Sequence, residues 1–105
     1  MNRFLWLLVA LSVAWPHSGQ AAQLVGAASG SCMNLAEHGG TAPDGTLVRL
    51  FHCHDTGNQT WTISNGQIIG LGGKCLDVLG GSTSDTTPLI LATCSSSASQ
   101  QWSVQ

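Results

Sequence analysis

Four cysteines, four histidines and five acidic side chains are the groups in this 105-residue chain best suited to chemistry, and their spacing decides which chemistry is open to them. Cys32, Cys53, Cys75 and Cys94 admit three disulfide pairings, and their number alone selects none. His52-Cys53-His54-Asp55, with His38 upstream, has the residue types of a metal site. The spacing argues against one: Cys53 is a disulfide candidate, and histidines at i and i+2 on a strand need further ligands that no neighbouring spacing supplies. No metal or other cofactor is expected. Glycoside hydrolysis would need two carboxyl groups held about 5 to 9 Å apart. Only Asp77 is individually well motivated, and no nucleophile elbow or Ser/His/Asp arrangement is present, so the expectation is a protein that is not an enzyme. Asn58-Gln59-Thr60 is an N-glycosylation sequon, relevant in a eukaryotic secretory pathway.

The elements that must position these groups begin after the N-terminus. Arg3 precedes an apolar run from Phe4 to Trp15, and small residues follow at Gly19, Ala21 and Ala22. A basic start, a short apolar stretch and a small-residue exit predict a secretory signal peptide over residues 1–21, since a membrane span needs about 20 apolar residues. The protein is then secreted, extracellular or periplasmic, with a domain at 22–105. In an oxidising compartment, two disulfides are the default. About 83 residues remain after cleavage, a marginal size for an unassisted core, so covalent staples are needed.

Removing the leader leaves Arg49 and Lys74 against Glu37, Asp44, Asp55, Asp77 and Asp85, a net charge of −3. Nucleic acid is excluded as a partner, because no basic patch can release counterions from phosphate, and the sparse charge disfavours an anionic membrane surface. Gly, Ser, Thr, Asn and Gln dominate instead, supplying neutral hydrogen-bonding groups suited to a polyol.

The chain also repeats itself. Ser31-Cys32-Met33-Asn34-Leu35, then Asp44-Gly45-Thr46 through Cys53, then Asn58-Gln59-Thr60-Trp61 matches Lys74-Cys75-Leu76-Asp77-Val78, then Asp85-Thr86-Thr87 through Cys94, then Ser99-Gln100-Gln101-Trp102. In both copies the second cysteine lies eight residues before its tryptophan and nine after its Asp. The offset between copies is 43 residues at the first cysteine and 41 at the second, so the length change falls in the loops at Gly39-Gly40 and Gly80-Gly81. Alternation sets Met33 with Leu35, Val48 with Leu50, Leu76 with Val78 and Leu89 with Leu91 on core faces, leaving Arg49, Phe51, Ile90 and Ala92 outside. No window sustains a helical period, so the expected fold is all-β. Identical units should each close their own loop, which selects Cys32–Cys53 and Cys75–Cys94.

With Cys-Leu-Asp-Val, Val-x-Leu-x-x-Cys and Gln-x-Trp in order, residues Gly30 to Val104 resemble the ricin-B lectin family of carbohydrate-binding modules. The resemblance implies β-trefoil-type lobes of about 40 residues, lobe one at about 24–65 and lobe two at about 66–105. A closed trefoil has three such lobes and two are present here, so either a lobe is missing or copies assemble as a homo-oligomer, three chains supplying six lobes for two trefoils. The implied partners are glycans or polysaccharides, galactose-type or other neutral sugars, bound weakly. In that family the Asp of Cys-x-Asp accepts from sugar hydroxyls, an aromatic two residues before the second cysteine stacks on the ring, and Asn before Gln-x-Trp donates. These roles map onto Asn34, Phe51 and Asn58 in lobe one, and onto Asp77, Ala92 and Ser99 in lobe two. Lobe one has thus exchanged the carboxylate for an amide, and lobe two lacks the ring and the amide. The carbohydrate-binding candidates are Asn34, Phe51, Asn58 and Asp77. Gln59 and Gln100 are expected to orient the first position, Trp61 and Trp102 to plug the core, and Arg49 to line the pocket. The rival expectation is a protein-binding trefoil, such as a toxin accessory subunit or inhibitor, with decayed sugar pockets.

Overall fold

The computed structural model describes residues 20–36 and 40–105; the expected leader at 1–21 lies outside these residues except for its last two positions, and His38 and Glu37 lie outside them as well. Seven short strands follow one another: β1 (Ala21–Ala22), β2 (Cys32–Leu35), β3 (Thr46–Phe51), β4 (Trp61–Ser64), β5 (Gln67–Ile69), β6 (Cys75–Val78) and β7 (Leu89–Ala92). They form a single antiparallel sheet in the order β1-β4-β5-β6-β7-β3-β2. Only four 3-10 turns of three residues each interrupt the strands among the described residues, so the fold is all-β. No helix among those residues is long and apolar enough to cross a membrane.

Local sequence explains the chain reversals. Asn65-Gly66 joins β4 to β5 with φ of 50° and 80°, the doubly left-handed turn that matches strand twist and that Asn and Gly adopt at least cost. Gly70 serves another purpose. A Cβ there would lie 2.7 Å from the Trp61 ring, so the missing side chain is what lets the indole seat against the backbone.

Packing confirms most of the apolar pattern. Leu35, Ala42, Trp61, Leu76 and Leu91 form the buried centre, and Leu24, Met33, Val48, Ile68, Leu71, Leu89 and Trp102 pack around it. Trp61 is fully buried and donates its indole N–H to the Met33 carbonyl at 3.0 Å; Trp102 is partly buried and donates to the Leu76 carbonyl at 3.1 Å. Both tryptophans therefore tie the end of their repeat to its first strand. The disulfides are Cys32–Cys53 and Cys75–Cys94, closing spans of 21 and 19 residues, and each stabilises by about 3 kcal/mol through loop closure.

Two face assignments need correction. Leu50, expected in the core, is 59% exposed, and Ile90, expected outside, is only 8% exposed. The register gives the reason. Only Thr46–Val48 of β3 pair with β7, so Leu50 lies beyond that junction with β2 as its single neighbour, whereas Ile90 has Leu47 on one side and Asp77 on the other. Lobe one therefore exposes Leu47 and Leu50, where lobe two has Pro88 and the buried Leu91.

The two repeats join through β3 and β7, with Val48 opposite its own counterpart Leu89. Asp44 ties the junction from the side. Its carboxylate accepts from the Thr93 N–H at 3.0 Å and hydroxyl at 3.1 Å and pairs with Lys74 at 3.0 Å, the one ion pair among the described residues. Those hydrogen bonds, led by the backbone N–H, hold the Asp44 carboxyl below its ordinary pKa.

Candidate functional site

Lobe one gathers its candidates around Gln59, which the 3-10 turn Gly57–Gln59 directs into the interior and leaves fully buried. The Gln59 amide donates to Asn34 Oδ1 at 3.0 Å and to the His52 carbonyl at 2.9 Å, while its oxygen accepts from the His54 N–H at 2.8 Å. One glutamine thus fixes the side chain on β2 and the path of the chain on both sides of Cys53. Asn34 is 6% exposed, and its own amide is turned to the Leu35 carbonyl at 2.9 Å. Asn58, half-buried, donates to the same carbonyl at 3.2 Å.

These groups floor a shallow cavity of about 240 Å³, lined by Asn34, Leu35, Ala36, Arg49, Phe51, His54 and Asn58. Three of the sequence-derived sugar candidates, Asn34, Phe51 and Asn58, are brought together here, with Arg49 beside them. The cavity is smaller than the roughly 300–1,000 Å³ typical of small-molecule pockets, which suits one ring rather than an extended ligand. Phe51 supplies the aromatic wall at 42% exposure, and its ring is braced by His52 at 4.3 Å and His54 at 6.1 Å between centroids. Arg49 sits directly across from Asn34 in the register. Its guanidinium makes no ion pair with any described residue.

His54 is the lining residue that sequence reasoning considered only as a metal ligand. Its neighbour Cys53 is consumed by the disulfide, its ring Nδ1 is 2.8 Å from the Thr56 hydroxyl, and no group of three or more metal-ligating side chains occurs among the described residues. The available signal was its position, three residues after Phe51, on the segment that Gln59 clamps.

Lobe two reproduces the frame atom for atom and changes the contents. Gln100 is 2% exposed; it donates to Asp77 Oδ2 at 3.0 Å and to the Thr93 carbonyl at 2.9 Å, and accepts from the Ser95 N–H at 2.8 Å. Asp77 also accepts from the Val78 N–H at 2.7 Å. Burial raises the Asp77 pKa, but hydrogen bonds from Gln100, Ser99 and the Val78 backbone outweigh it and keep the carboxyl ionised below its ordinary range. The platform position holds half-buried Ala92, and Asp77 faces the apolar Ile90 where Asn34 faces Arg49. Asp77 is thus some distance in sequence and in lobe from the Phe51 wall, and the two are not combined in one cavity.

Known proteins match the chain and its fold. The model of the "Ricin-type beta-trefoil lectin domain" family matches residues 20–105. Among solved structures, the chain is similar to a designed 3-fold symmetric protein, ThreeFoil, at 28% identity and a TM-score of 0.70, over 78% of this chain and 61% of that one. The chain thus spans less than two thirds of that three-fold molecule.

Proposed function

Because the chain belongs to the ricin-type β-trefoil lectin domain family, we propose that it is a secreted carbohydrate-binding module, acting by binding rather than catalysis, whose sugar-holding site is the lobe-one cavity. The observation that carries this reading is Phe51, an exposed ring on the wall of a cavity whose polar groups are fixed by a buried glutamine network. Sugars present an apolar C–H face and a rim of hydroxyls, so a ring wall beside amides suits a galactose-type or similar pyranose. Each hydrogen bond to the sugar replaces one to water, which sets the expected affinity near millimolar, about 4 kcal/mol per site. Several sites acting together would supply avidity. A glycan array with the wild-type chain and Phe51→Ala tests the reading. Binding lost in the variant supports it, and a wild-type chain that captures no glycan overturns it. Export through the 1–21 leader is checked by the N-terminal sequence of the protein recovered from medium or periplasm; an intact Met1 there would contradict it.

A second reading, association with protein, is favoured by Leu47 and Leu50, two large apolar side chains exposed on β3. Its simplest form is assembly of several copies of this chain into complete trefoils. Sedimentation of the wild-type chain and Leu50→Glu decides it: an oligomer dispersed by the charge supports assembly, and a monomer in both removes it.

A further inference from the structure

Among the described residues, the lobe-one cavity is lined by a guanidinium and no carboxylate, a balance that a sugar made only of hydroxyls does not need. A neutral ring is best held by a carboxylate, which accepts from two hydroxyls at once. Here the carboxylate position is Asn34, whose oxygen already accepts from Gln59 and whose amide is spent on the Leu35 carbonyl. The remaining polar lining is Arg49, with its fork of N–H donors, the Asn58 amide, which also donates to the Leu35 carbonyl, and His54, whose Nδ1 is engaged with Thr56 and whose Nε2 is the other ring nitrogen. Among the described residues, no acidic side chain lines the cavity. Arg49 is opposite Asn34 and two residues from Phe51 on the same strand face, so the cation, the amide floor and the ring wall are neighbours. Lobe two has the reverse polarity, a carboxylate opposite Ile90.

We propose that the lobe-one cavity takes a sugar carrying a carboxylate, a hexuronate, with Arg49 receiving the carboxylate and Phe51 stacking on the ring. The assignment rests on the carbohydrate-binding reading and names the ligand class of that site. Guanidinium and carboxylate are both planar, and their paired N–H···O bonds are charge-assisted, which gives a reason for Arg at this position. A neutral hexose would still stack on Phe51 but would offer the guanidinium only single, uncharged hydroxyl or ring oxygens in place of the paired, charge-assisted bonds.

Matched pairs test the proposal, because galactose and galacturonate, or glucose and glucuronate, differ only at C6. Each would be titrated as its methyl glycoside onto the disulfide-bonded chain by NMR, with the wild type and Arg49→Gln, at low and high salt. The expected result is at least about tenfold tighter binding of one uronate than of its neutral partner, about 1.4 kcal/mol. That advantage should shrink with salt and fall to about unity in Arg49→Gln, whose amide spectrum elsewhere stays as in the wild type. Neutral sugars binding as tightly as the uronates would overturn the hexuronate assignment and leave the carbohydrate reading standing. A uronate preference that persists in Arg49→Gln would overturn the role of Arg49. No binding by any member of either pair would overturn both the assignment and the site.

Discussion

The two lobes share a skeleton and differ in what they hang on it. In each, a buried glutamine bonds the third residue of a strand that begins with cysteine, one carbonyl before the second cysteine and one N–H after it, and a tryptophan closes the repeat onto the first strand. On that common frame lobe one places an amide, a guanidinium and a phenyl ring, and lobe two a carboxylate, Ile90 and Ala92. The frame depends on buried hydrogen bonds and packing, where a lost partner is costly. Arg49 and Phe51 are exposed and free to vary, because their side chains need satisfy only a ligand or water, whereas Ile90 in the second lobe is buried.

If the frame is shared, removing equivalent parts should cost stability in both lobes, scaled by burial. Trp61→Ala is expected to have the largest effect, about 3–5 kcal/mol, with Trp102→Ala about half of that because its indole is only partly buried. Urea unfolding of both variants, with disulfides intact, checks the order. An equal loss in the two would break the claim that the deeper burial of Trp61 sets the order.

Next come the glutamines. Gln59→Leu and Gln100→Leu each strand the groups those side chains satisfy, for an expected loss of about 1–3 kcal/mol apiece. Gln100→Leu is expected to be the more damaging, since the group it leaves is a partly buried carboxylate rather than an amide. Thermal melts of the pair at neutral pH would show it.

The smallest effect separates the lobes by pH. Asp77 is held below its ordinary pKa in the folded chain, so its contribution is complete above the unfolded value of about 3.9 and is lost as pH falls through the lowered folded value. Asn34 cannot titrate. Asp77→Asn should therefore flatten the acid limb of the stability profile below about pH 4, leaving the part due to Asp44, which is lowered in the same direction. An acid limb unchanged by Asp77→Asn would contradict the hydrogen-bonding role of this carboxylate.

Much of the frame was legible in the sequence because it is written twice. Cys53 and Cys94 stand at one distance from Trp61 and Trp102, so the pairings Cys32–Cys53 and Cys75–Cys94 and the clamps at Gln59 and Gln100 could be expected from the repeat and its family likeness. Burial on β3 and β7 was not legible. Alternation tells which side chains share a face, but exposure of Leu50 and burial of Ile90 depend on which strands flank them, and β3 meets β7 over three residues only. The hairpin at Asn65-Gly66 carried a local signal that alternation of apolar residues does not register. His54 became visible as a wall of the cavity only when the turn after Cys53 folded back onto Gln59. The opposition of Arg49 and Asn34 likewise needs the strand register, which residue types alone do not supply.

The central claim is that the sugar-holding site lies in lobe one, at Phe51. Mapping amide and side-chain shifts during titration of the wild-type chain with the sugars of the matched pairs tests it most directly. The account predicts the first and largest shifts at Phe51, His54 and the Asn58 amide, with β6 around Asp77 moving little. Shifts confined to Asp77 and its neighbours, or to the indole signals of Trp61 and Trp102, would contradict it.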